Sequence, residues 1–185
     1  MGGRVRLEPY MDPLFIRLCD RLYLACIWLA GTAIFLMSLI IPWGVFTRYV
    51  LGTGSQWPEP IAILLMMVFT FVGAAAAYRA GAHIAVTMLT DPLPAAVRGL
   101  MGVLVNLLMV LICAFVAYYG TRLCMETWNQ SISELSWLPV GVTYAALPIG
   151  GAATLVFVIE RMIYGSQAER AIVRYEELTD AEKAA

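Results

Sequence analysis

Four stretches of this chain contain no Asp, Glu, Lys or Arg: Leu22–Thr47, Pro60–Tyr78, Gly99–Thr121 and Leu135–Ile159. They are apolar all round, with neither a polar stripe nor a two-residue alternation. A spanning helix needs roughly 17–25 apolar residues, and each stretch meets that length. Membrane β-strands would instead alternate over segments of about ten residues. The pattern predicts an all-α integral membrane protein of one domain, residues 1–185. Its four transmembrane helices fall at about 22–47, 60–78, 99–121 and 137–159, with 1–21 as an N-terminal cytoplasmic or interfacial helix segment and 160–185 as a cytoplasmic tail.

Composition supports this. The chain is 61% hydrophobic and 14% charged, against about 45–50% and 25% in soluble domains, so apolar surface must face lipid. The first run far exceeds a signal peptide's roughly 7–15-residue apolar region and lacks a small-x-small cleavage site. Cys19, Cys26, Cys113 and Cys124 show no CxxC spacing, and read as small apolar fillers.

Lys and Arg fix the orientation. Arg4, Arg6, Arg17, Arg21, Arg79, Arg98, Arg161, Arg170, Arg174 and Lys183 fall on one side, and only Arg48 and Arg122 on the other. Both termini and the 79–98 loop are therefore expected in the cytoplasm. Aromatic belts agree, with Trp43, Tyr49, Trp57, Tyr118, Tyr119, Trp128, Trp137 and Tyr144 outside and Tyr23, Trp28, Tyr78 and Tyr164 inside.

Asp12 and Pro13 offer a helix start. A helix from there to Thr47 would measure about 52 Å. That is too long for a ~30 Å layer unless its first turns lie in the interface or the whole helix tilts. Pro42 should bend its outer end. In the inner loop, Ile84, Val86, Met88 and Leu89 suit a short helix and a strand equally, and Asp91–Pro92 or Pro94 starts the third helix. Pro148 with Gly150–Gly151 should loosen the fourth.

Candidate chemistry is sparse, and no catalytic, cofactor-binding or metal-binding residue is expected. His83 is the only histidine. A bis-histidine haem needs two imidazoles and zinc three or four donors, so His83 reads as an organiser of the inner loop. A self-sufficient carrier would use an intramembrane carboxylate, and the charge-free spans offer none. Asn106, Thr32, Ser38, Thr70, Thr143 and Thr154 read as interhelical hydrogen-bonding groups. Gly73, Ala77, Gly141 and Ala145 permit close approach of helices, within the chain or to a partner.

The segment QWPEPIAILLMMVFTFVGAAAAYRAGAHIAV carries Trp57, Glu59, Gly73-Ala74-Ala75, Arg79 and Gly81-Ala82-His83-Ile84. LPVGVTYAALPIGG follows with Tyr144, Pro148 and Gly150. In order and spacing these resemble the small membrane subunit (DctQ-like) of tripartite ATP-independent periplasmic (TRAP) transporters, over about residues 15 to 163. The lone Glu59, and Thr87 after the His-Ile pair, depart from the family's more acidic pattern. The resemblance implies a scaffold subunit in the bacterial inner membrane. Its expected partners are a large DctM-like elevator permease, which would hold the Na+ and substrate sites, a periplasmic DctP-like binding protein and membrane lipids, with no nucleic acid. The expected cargo is an organic acid such as a dicarboxylate or sugar acid. The competing readings are an autonomous four-helix transporter and a redox-enzyme membrane anchor.

Overall fold

A computed structural model describes residues 14–81 and 95–165. The Asp12–Pro13 helix start, the loop with His83 and Asp91, and the tail from 166 lie outside the described residues. The elements are α1 (Leu14–Tyr49), α2 (Pro58–Arg79), α3 (Ala95–Glu126), β1 (Ser131–Ile132), β2 (Leu135–Pro139), α4 (Val140–Tyr144) and α5 (Ala146–Tyr164). Four helical segments, α1, α2, residues 100–126 of α3, and α4 with α5 together, are long and apolar enough to cross a membrane.

Buried positions on α1 fall at Ile16, Cys19, Tyr23, Cys26, Ala30 and Ala33, a spacing of three and four residues. On α5 the same spacing runs Ala146, Gly150, Ala153, Phe157 and Glu160. This is the 3.5-residue seam of left-handed helix packing. The seams are rich in Ala, Gly and Cys because lipid gives helices little hydrophobic reason to associate, so backbones must approach closely. The principal contacts are α1 on α2, α2 on α5, and α5 on α3. The last helix is thus wedged between α2 and α3.

Adjacent glycines make that wedge possible. A Cβ on Gly150 would lie 2.7 Å from the backbone of Phe71 on α2. On Gly151 it would lie 3.2 Å from the Ala117 nitrogen on α3. The Gly-Gly pair therefore serves close packing on two sides rather than flexibility. The interruption falls earlier, at Ala145 between α4 and α5. There Pro148 has no N–H to give the Tyr144 carbonyl, and Ala145 N bonds back only to Val142 O at 3.2 Å.

α1 is a single helix of 36 residues, about 54 Å long, with Pro42 inside it. Other expectations are revised. Trp137, Leu138 and Pro139 belong to β2, not to the fourth span. β2 pairs antiparallel with β1 through Ser131↔Pro139 and Ile132↔Leu135. Ser38, Thr70 and Thr154 donate to carbonyls four residues back on their own helices, at 2.8–2.9 Å, instead of bonding between helices. Tyr23 and Tyr78 are buried, not set in an interfacial belt.

Candidate functional site: a buried ion cluster

Helix α2 ends where Gly81 turns the chain at φ +80°, a backbone conformation that favours glycine. Ala80 N closes on Ala76 O at 3.0 Å, and Gly81 N on Tyr78 O at 3.2 Å. This leaves Arg79 in the last turn, and its side chain points inward. The guanidinium donates from Nε and Nη2 to Glu160 Oε2 and Oε1, both at 2.8 Å. Nη2 also donates to Asp20 Oδ1. The side chains of Arg79 and Glu160 are 4% and 1% exposed, and that of Asp20 43%. The rings of Tyr23 and Phe157 lie 5.2 and 5.5 Å from the guanidinium carbon.

Each member is placed by its helix. Asp20 follows Cys19 on the buried seam of α1, and Glu160 continues the α5 seam one turn beyond Phe157. Three helices therefore meet at one guanidinium. The forked, bidentate pairing is the strong form of an Arg–carboxylate contact. One expectation is corrected here: Glu160, expected as the first residue of a cytoplasmic tail, lies within α5 and is buried, with Arg79 from the end of α2 packed on it. The charge-free run stops at Ile159, which made Glu160 look like the first residue of the tail. Its phase on the seam was the signal that could have placed it inside.

Chemically the cluster is closed. Both Glu160 oxygens accept from Arg79, and only Asp20 reaches the surface. Among the described residues no group of three or more His, Cys, Asp or Glu is placed to hold a metal.

The other singled-out residues are dispersed. Gly73 packs against Ala30, whose Cβ would lie 3.6 Å from an added Cβ. Ala77 is half-buried and lines a shallow groove with Tyr23, Ala30 and Gly31. Gly141 is engaged internally, since a Cβ there would lie 2.6 Å from Cys124 O. Pro148 packs on Gly120, at 3.1 Å from an added Cβ. Ala145, Asn106 and Tyr144 are half-buried. Trp57 stands at the N-cap position of α2 and makes no side-chain capping bond. Glu59, in its first turn, faces Arg48 at 3.7 Å across an open surface.

Residues 37–168 match the family described as tripartite ATP-independent periplasmic transporters, DctQ component. This chain belongs to the DctQ family. A putative TRAP transporter small permease protein of Haemophilus influenzae is 29% identical over 128 residues, 69% of this chain and 79% of that one. An ectoine TRAP transporter small permease protein of Halomonas elongata is 25% identical over 107 residues, 57% and 55% of the two chains. The sialic acid TRAP transporter permease protein SiaT of Haemophilus influenzae is 29% identical over 126 residues, 66% of this chain but 20% of that longer one. This DctQ chain is thus a membrane-embedded transporter component, not an enzyme. Of the positions singled out in the sequence, Gly73 packs on α1, Gly150 on α2 and Pro148 on α3, while Arg79 joins α1, α2 and α5.

Proposed function

We propose that this DctQ subunit is a fixed scaffold in a sodium-coupled TRAP transporter of the bacterial inner membrane. It supports a large elevator-type permease that receives an organic acid from a periplasmic binding protein. One observation carries the reading: the buried carboxylate of the bundle, Glu160, has both oxygens committed to Arg79. A carboxylate held this way ties helices together, whereas a coupling site must bind and release its ion. The match of this chain to one fifth of the longer SiaT permease supports a unit working in contact with further membrane segments. Substrate and sodium sites are assigned to the large subunit. The SiaT name pairs this architecture with a sugar acid, while the Halomonas relative's name gives ectoine, so the cargo belongs to the partners. Both termini are assigned to the cytoplasm from the ten-to-two division of Lys and Arg.

Reconstitution tests the role. Liposomes holding this chain alone should show no sodium-dependent uptake, whereas the complete complex with its binding protein should. Uptake by the chain alone would overturn the scaffold reading, and would require the Arg79–Glu160 pair to open. Orientation is checked by impermeant thiol labelling in cells: cysteines at positions 54 and 131 should react from the periplasm and one at 170 should not.

A further inference from the structure

At the end of the bundle opposite Arg79, two cavities share a wall formed by Arg48, Glu59 and Ile63. The first, of about 330 Å³, lies between α1 and α2 and is lined below its rim by Met37, Ile41, Val45, Ala62 and Met66. The second, of about 440 Å³, adds Gln56, Glu134, Thr143 and Tyr144. One side is a hydrocarbon slot and the other a chamber of mixed polar and apolar lining, with a cation and an anion on the wall between them.

The dimensions select an occupant. From Met37 to Arg48 α1 rises about 16 Å, and from Pro58 to Met66 α2 rises about 12 Å. That is close to one leaflet, half of a ~30 Å hydrocarbon layer. A slot of about 330 Å³ spread over that length suits a single extended acyl chain. Its top is held narrow by Gly44, where an added Cβ would lie 3.0 Å from Pro58 Cβ.

The rim selects the headgroup. Arg48 and Glu59 are 55% and 74% exposed and 3.7 Å apart, so neither is saturated by the other. Arg48 offers a planar fork of N–H donors suited to a phosphate. Glu59 and Glu134 offer carboxylates suited to an ammonium. We propose that the two cavities form one amphipathic site for a phospholipid with a zwitterionic phosphoethanolamine headgroup, in the leaflet at the Arg48 end. One acyl chain lies along Met37, Ile41 and Met66, the phosphate sits on Arg48, and the ammonium faces Glu59 and Glu134. This site does not depend on the scaffold reading.

The test uses the full chain in nanodiscs containing equal amounts of phosphatidylethanolamine and phosphatidylglycerol. In separate samples one or the other lipid carries a photoreactive diazirine on its acyl chain, and labelled peptides are mapped by mass spectrometry. Phosphatidylethanolamine should label residues 37–45 and 62–66 several-fold more than phosphatidylglycerol does. Met37→Trp or Ala62→Trp, which fill the slot, should each abolish that labelling. The double variant Arg48→Gln with Glu59→Gln should bring the two lipids level while the amount of folded protein is unchanged. Equal labelling by both lipids in the unaltered chain would overturn the headgroup assignment. Labelling spread evenly over the outward faces of α1 and α3 would overturn the site itself. So would a cysteine at position 62 that crosslinks to the large subunit in the assembled complex, since that would put protein in the slot.

Discussion

The two ends of this bundle carry the same kind of pair in opposite surroundings. At one end Arg79 and Glu160 are buried, bidentate and joined by Asp20, with aromatic rings on the guanidinium. At the other, Arg48 and Glu59 face each other at 3.7 Å with more than half of each side chain exposed. Charge and residue type are the same, so the difference lies in packing. The buried pair has no water to fall back on, and loss of one partner strands a charge inside the bundle. The exposed pair exchanges its contact for solvent at little cost. One end is therefore a fastening and the other an open surface that can receive something else.

Breaking the fastening should give the largest effect. Glu160→Gln or Arg79→Ala should each destabilise the chain by about 3–5 kcal/mol, as for other buried pairs that lose one member. Reversible unfolding in detergent or bicelles reads this. A change under about 1 kcal/mol would remove the distinction between the two ends.

The next effect is steric. Gly150→Ala places a methyl group 2.7 Å from the Phe71 backbone, an overpacking that should cost about 1–3 kcal/mol. Gly31→Ala is the control, because nothing lies within 4 Å of its added Cβ. The same unfolding measurement should separate the two variants, and equal stabilities would mean that α5 is not wedged as described.

The smallest effect belongs to the open end. Arg48→Gln or Glu59→Gln should change stability by at most about 1 kcal/mol, with a dependence on salt. A loss comparable to that of Glu160→Gln would show that the outer pair is as structural as the inner one.

The same contrast explains what could be read from the chain before folding. Span number and approximate limits follow from charge-free length, and Gly81 after Arg79 marks a helix stop in the sequence itself. The buried partner of Arg79 is a long-range fact. Asp20 and Glu160 are 59 and 81 residues away, and a run of apolar residues ending at Ile159 hides that Glu160 is in phase with Ala153 and Phe157. Tyr23 looks like an interfacial aromatic until the guanidinium beside it is known, and Tyr78 until its packing beside Arg161 is known. Gly150–Gly151 reads as a weak point because one helix alone shows two missing side chains, not the two neighbours that need the space. Trp137–Pro139 continues an apolar run by composition, yet its pairing with Ser131–Ile132 makes it a strand. His83 stays an expectation about a loop outside the described residues.

The central claim is that the Arg79 cluster fastens the subunit and takes no part in moving ions. The most direct test replaces the pair with apolar residues, Arg79→Met with Glu160→Leu, in the complete transporter. Exchanging a whole buried pair for packed apolar groups is often neutral or stabilising, unlike removing one member. A fastening role predicts that the double variant assembles and keeps its sodium-dependent uptake, while Glu160→Gln alone loses assembled complex. A double variant that assembles fully yet transports nothing would contradict it.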